Sequence, residues 1–112
     1  MKLSELARSL EYQVIVQPTG DYEVLSGYTS DLLSDVMGNA DEGSVLITIQ
    51  AHRNSVAVAS QLDFPAIIIC NNRPIPAEME NAARSSDIAI LKTTDNQFVA
   101  SYKVYAALKR MS

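Results

Sequence analysis

The chain carries one histidine, His52, and one cysteine, Cys70, each just past a run of apolar residues. An imidazole beside a thiol is the minimal nucleophilic dyad, because the base generates the thiolate. No acid accompanies His52 in sequence, and a lone cysteine closing an apolar run reads equally as an inert core thiol. One thiol cannot form an internal disulfide, and one cysteine with one histidine cannot complete a zinc site, so no metal is expected. Arg53 follows His52 and precedes Asn54-Ser55 at the start of a predicted helix. A guanidinium next to free helical N–H groups suits a phosphate or carboxylate. The alternative is that Asn54 caps the helix and Arg53 is only solvated. Ser30-Asp31 invites a catalytic or metal reading, but the pair also reads as a helix cap, with Asp31 at the positive end of the dipole. Asn71-Asn72 tolerates left-handed backbone and reads as a turn. Neither G-x-x-x-x-G-K-[ST] nor G-x-G-x-x-G occurs, so a nucleotide-hydrolysing engine or a dinucleotide site lacks support. No catalytic constellation is complete. The expectation is a binding or interaction module that is not an enzyme and takes no cofactor.

These residues need a frame to bring them together. Leu3, Leu6 and Leu10 mark one face of an amino-terminal helix. Tyr12 to Val16 reads as a strand with Val14 and Val16 on one face. Pro18 to Asp21 is a turn, and Tyr22 to Leu25 a second short strand, making a small hairpin or a bent extended segment. Gly27 to Asp31 reads as a loop into a helix with Leu32, Leu33, Val36 and Met37 as its apolar stripe and Gly38-Asn39 as its stop. Three apolar runs follow, Val45 to Ile49, Ala66 to Cys70 and Ile88 to Leu91, as expected of strands covered on both faces. A helix around Val56 to Leu62 separates the first two. Another separates the second and third, with Pro76 at its first position and Glu78 and Glu80 in its first turn. Thr94 to Gln97 has the form of a capping box, opening a last helix through about Leu108. Phe98, Tyr102 and Tyr105 stripe that helix and are expected mostly in the core. For Tyr102 and Tyr105, an edge where a second subunit docks is the other reading.

Alternation of strand and helix predicts an α/β fold with a mostly parallel sheet and helices on both faces, in three layers. In such a sheet ligands gather at the carboxyl ends of the strands. The loops expected there carry Gln50, His52 and Arg53; Cys70, Asn71 and Asn72; and Lys92 to Asp95. Ser30 and Asp31 join them if the segment before Tyr28 runs parallel to the others.

Composition narrows the partners. A chain of 112 residues with 47% hydrophobic content makes one domain, 1–112, with a core of its own. Its net charge of −4 argues against nucleic acid or an anionic membrane as partner, since both need a positive footprint. The apolar runs fall far short of the ~20 residues of a membrane span. The polar amino terminus reads as a helix and not as a signal peptide, and the cysteine content suits the cytoplasm.

The segments Gly27 to Met37, Ile47 to His52 and Val56 to Ala59 resemble the small stand-alone DRTGG-domain proteins, a likeness that runs from Leu3 to Leu108. The DRTGG domain is similar to the amino-terminal domain of HPr kinase/phosphorylase, and to modules in some phosphotransacetylases and CBS-containing pyrophosphatases. The resemblance implies a three-layered α/β domain with a regulatory or dimerising role and no catalysis. It also implies a setting near iron-only hydrogenase-type redox subunits. Where the family commonly has Gly-Asp-Arg this chain has Ala51-His52-Arg53, and where it commonly has Thr-Gly-Gly this chain has Cys70-Asn71-Asn72. Two functions are therefore expected. One is a module recognising a small anionic metabolite or nucleotide at Ser30, Asp31, Gln50, His52, Arg53, Cys70, Asn71 and Asn72. The other is a protein-interaction subunit, homodimeric or docked on a redox enzyme.

Overall fold

A computed structural model describes residues 1–110; the last two residues of the expected 1–112 unit lie outside the described residues. The elements run α1 (Leu3–Leu10), β1 (Gln13–Val16), β2 (Ser26–Thr29), α2 (Leu33–Asn39), β3 (Ser44–Thr48), α3 (Arg53–Gln61), β4 (Ala66–Ile69), α4 (Ala77–Ser86), β5 (Ala89–Lys92) and α5 (Gln97–Arg110). One five-stranded sheet has the order β1-β5-β4-β3-β2. The four strands β2 to β5 are mutually parallel, and β1 is antiparallel at the edge beside β5. The expected α/β architecture with a mostly parallel sheet and helices on both faces is what forms.

Both faces of the central strands are buried, which is why β3, β4 and β5 read as unbroken apolar runs. Val45, Ile47, Ala66, Ile68, Ala89 and Leu91 point to one side, where α1 contributes its three leucines and α5 contributes Ala100, Val104 and Ala107. Leu46, Ile67, Ile69 and Ile90 point to the other, against Val36 of α2, Val56 and Ala59 of α3, and Met79 and Ala83 of α4. The three layers follow from this alternation. The chain ends three segments in left-handed backbone without glycine, at Glu11, Asp63 and Asp87. Asp87 is held there by accepting hydrogen bonds from the backbone and hydroxyl of Thr19 and from the Tyr22 hydroxyl.

Four local expectations are corrected. First, β1 carries a bulge between Val14 and Val16. The extra residue puts Val14, 43% exposed, over the α1 side and sends Val16 to the opposite core. Second, Tyr22 to Leu25 is not a strand of the sheet: it makes a single bridge, Lys2 to Glu23, with backbone bonds to Met1 and Leu3. The strand is instead Ser26–Thr29, inside the segment read as a loop. Third, α2 has no side-chain cap, and its apolar stripe splits: Val36 is buried while Leu32 and Met37 are exposed. Fourth, the aromatic stripe of α5 faces solvent, with Phe98 83%, Tyr102 68% and Tyr105 63% exposed. Small residues pack α5 against the sheet because it approaches closely: a Cβ at Gly27 would lie 3.4 Å from Val104 Cγ1.

Candidate functional site

The parallel strands deliver their carboxyl ends to one side of the molecule, and β2 is among them. Ser30-Asp31 after β2, Gln50 to Arg53 after β3, Cys70 to Asn72 after β4, and Thr93 to Gln97 after β5 therefore line one rim. The loop after β5 crosses this rim to carry α5 back over β2 and β3. Its carbonyls hold the turn after β4, with Asn71 N–H donating to Asp95 O at 2.9 Å and Asn72 N–H to Thr93 O at 2.8 Å. Asn71 and Asn72 both adopt left-handed backbone, φ 60 and 52, as a turn there requires.

Asp31 does not serve as a helix cap. Its Oδ1 accepts from Thr48 Oγ1 at 2.8 Å, from Ile49 N–H at 2.9 Å and from Gln97 Nε2 at 3.0 Å. One carboxylate oxygen thus ties together the ends of β2, β3 and α5. Thr48 is fully buried and also accepts from Gln50 N–H at 3.1 Å, so both functions of its hydroxyl are used. Ser30 turns the chain into α2 by accepting from Leu32 N–H at 3.1 Å. At α3 the cap is His52, whose Nδ1 accepts from Asn54 N–H at 3.0 Å, and not Asn54. At α5 the capping box does not close: Asn96 accepts from Val99 N–H, which leaves Gln97 for Asp31.

Cys70 is placed apart from the other candidates. It is fully buried in the core beneath α1 and α5 and does not reach the rim surface. Burial, reinforced by the negative charges of Asp31 and Asp95, pushes its thiol up to about 11. A thiol so protonated at neutral pH is a poor nucleophile, and no dyad with the surface residue His52 is assembled. Gln50, His52, Arg53, Asn71 and Asn72 are exposed, and Ser30 and Asp31 are half-buried.

A second cluster beside the rim went unmarked in the sequence. Asp95 Oδ2 accepts from Tyr12 Oη and from Lys103 Nζ, each at 2.8 Å. The Lys103 ammonium, then the Tyr12 hydroxyl, hold the Asp95 carboxyl below its usual range. Burial, then Asp95, raises the Tyr12 phenol above its own. The cluster fastens α5 to the segment before β1. Only the polar 93–97 stretch hinted at it, because Tyr12 lies 83 residues from Asp95. A groove of about 790 Å³ lies between the β2 edge and α5, lined by Leu25, Gly27, Ile47, Phe98 and Tyr102 among others. Among the described residues no group of histidine, cysteine and acidic side chains could hold a metal ion, and no helix is long and apolar enough to cross a membrane.

The fold defined by this sheet order and this rim is of the DRTGG-domain-like α/β class. It is similar to the CBS and DRTGG domains of the regulatory region of Clostridium perfringens pyrophosphatase, a structure solved in complex with the activator diadenosine tetraphosphate. The match has a TM-score of 0.71 at 15% sequence identity and covers 95% of this chain and 46% of the other. This chain thus spans about half the length of that one. No protein-family model matches the sequence, and no curated protein does.

Proposed function

We propose that this chain is a cytoplasmic, non-catalytic regulatory module that binds a small anionic ligand, a nucleotide foremost, at the strand-end rim. One observation carries the reading. Arg53 sits exposed in the first turn of α3, with no hydrogen bond or ion pair to its guanidinium among the described residues. The guanidinium and the positive end of α3 are a natural pair for phosphate oxygens. Gln50, Asn71 and Asn72 stand exposed on the same rim and supply amide donors and acceptors. The structural neighbour was solved with a nucleotide activator, which supports nucleotides as the first probes. The non-catalytic part rests on the sealed thiol of Cys70 and on His52, whose Nδ1 is engaged at the α3 cap. The direct test is a thermal-shift and calorimetric titration with ATP, ADP, diadenosine tetraphosphate and inorganic phosphate. A ligand that binds only the folded state raises the melting temperature with concentration. Arg53→Ala should weaken that binding about tenfold or more, the value of a charge-assisted hydrogen bond. A folded sample that responds to none of the four ends this reading.

A second reading, favoured by the exposed α5 stripe, is a protein-interaction subunit. Its partner would be an iron-only hydrogenase-type redox protein or a second copy of the chain. Binding to such a purified redox subunit, followed by interferometry, tests the first form; no association there removes it.

A further inference from the structure

The sheet has two edges, and they are treated differently. The β1 edge is broken by its bulge and is followed by Pro18. Those are devices that discourage a strand from pairing with another chain. The β2 edge has none of them. Ser26, Gly27, Tyr28 and Thr29 include no charge and no proline, and the pairing with β3 runs through them without a register shift.

The same edge is flanked by the most exposed large apolar side chains among the described residues. On the α5 face, Phe98, Tyr102 and Tyr105 recur at helical spacing beside Leu25, each 63% to 83% exposed. Thr29 Oγ1 lies 2.6 Å from Ser101 Oγ, so strand edge and helix form one surface. On the other face, Leu32 just before α2 is 64% exposed and Met37 within it 41%. The groove of about 790 Å³ lies on the α5 side alone, between the β2 edge and the helix. Among the described residues its lining holds no acidic side chain, and Lys109, whose Nζ lies 6.0 Å from the Tyr105 ring centroid, is the charged one. A chain of net charge −4 therefore presents here a face without its own repulsion.

We infer that the β2 edge and the α5 aromatic stripe are the seat of a second copy of this chain, the two β2 strands pairing antiparallel about a two-fold axis. An antiparallel strand pair has its two-fold perpendicular to the sheet, so each face continues onto the same face of the other copy. The α5 stripes then meet across the seam on one side and the α2 helices on the other, an isologous contact in which one patch meets itself. The area is sufficient. At about 200 Å² for a large apolar side chain, Leu25, Phe98, Tyr102 and Tyr105 offer roughly 500 Å² on each copy. The strand edge, Leu32 and Met37 bring the total toward the about 800 Å² per partner of a stable interface. The inference deepens the second reading above and is independent of the first, because the rim lies at the strand ends and the seam along a strand edge.

The test is sedimentation velocity of the full chain over a dilution series. The parent, Phe98→Glu/Tyr102→Glu and Val14→Glu are compared, with circular dichroism to establish that each is folded. The parent should sediment as a dimer. Phe98→Glu/Tyr102→Glu, which alters only exposed side chains, should raise the dimer dissociation constant about 30-fold or more. Val14→Glu, on the opposite edge, should leave it unchanged. A parent that stays monomeric at submillimolar concentration overturns the inference. So does a dimer that survives the double substitution, or one that dissociates with Val14→Glu. Nucleotide titration of the same samples keeps the two readings apart, since loss of the dimer need not abolish ligand binding and the absence of ligand binding leaves the dimer in place.

Discussion

Replacing Asp31 by alanine removes a single acceptor oxygen that three elements share. The donors are Thr48 Oγ1, Ile49 N–H and Gln97 Nε2, at 2.8, 2.9 and 3.0 Å. An intramolecular hydrogen bond contributes about 1 kcal/mol net, more to a charged acceptor, and a buried donor left without a partner costs about 1–3 kcal/mol. Thr48 is fully buried, and its hydroxyl proton has no other acceptor among the described residues. Ile49 and Gln97 are only partly buried, so their donors should cost less than the Thr48 hydroxyl when left without a partner. Together they amount to roughly 3–4 kcal/mol, a large part of the about 5–15 kcal/mol that stabilises a domain of this size. In urea, with an m-value of about 2 kcal/mol/M, the midpoint should fall by roughly 1.5–2 M. Asp31→Asn keeps a carbonyl acceptor and should cost only about 1 kcal/mol, and Gln97→Ala about the same. A double-mutant cycle between Asp31→Ala and Thr48→Val should return a coupling of about 1–2 kcal/mol, since the pair is in direct contact. The assay is equilibrium urea unfolding followed by circular dichroism at neutral pH. A loss below about 1 kcal/mol for Asp31→Ala, or a coupling of zero, would refute the view that this carboxylate fastens the strand ends.

Two further outcomes follow from titrating groups. The Cys70 thiol is raised to about 11 from an ordinary value of 9.0. The folded state therefore holds its proton while the unfolded state loses it. Stability should be unaffected below pH 9, should fall as the pH rises toward 11 by on the order of 2 kcal/mol, and should then level. Cys70→Ala should remove that part of the alkaline slope at the expense of some packing, as read from unfolding curves at pH 8 and pH 10; an unchanged slope would contradict the burial argument. Alkylation of the native parent by iodoacetamide at neutral pH should be far slower than that of the unfolded chain. Asp95 is the opposite case. With its carboxyl held below 3.8 by Lys103 and Tyr12, it adds stability above its unfolded value that is lost as the pH falls through the folded one. Asp95→Asn should destabilise the protein at neutral pH and converge with the parent in strong acid. Parallel curves at every pH would show the Asp95 charge to be idle.

Much of the frame was legible in the residues. Val45 to Ile49, Ala66 to Cys70 and Ile88 to Leu91 announce central strands because both of their faces are dry, and a dry strand admits only apolar side chains. Leu3, Leu6 and Leu10 announce α1 for the corresponding reason on one helical face. Given parallel strands, the rim of Gln50, His52, Arg53, Asn71 and Asn72 follows from topology. By contrast, β2 is half-wet and edge-on, so Ser26-Gly27-Tyr28-Thr29 carries no apolar signal. Its pairing with β3 is set by tertiary contact alone.

The role of Asp31 was hidden for the same reason. Its partners lie 17, 18 and 66 residues away, and nothing local distinguishes a carboxylate that joins strand ends from one that caps a helix. In α5 two stripes share helical spacing, the aromatic Phe98-Tyr102-Tyr105 and the small Ala100-Val104-Ala107. Hydropathy favours burying the first. The close approach of the helix to the sheet over Gly27 leaves room only for the second. The amino-acid order by itself determined which segments must be dry and in what succession they come. Which polar groups meet, which edge stays open and which face of the last helix turns outward were decided only when distant segments were brought within van der Waals reach.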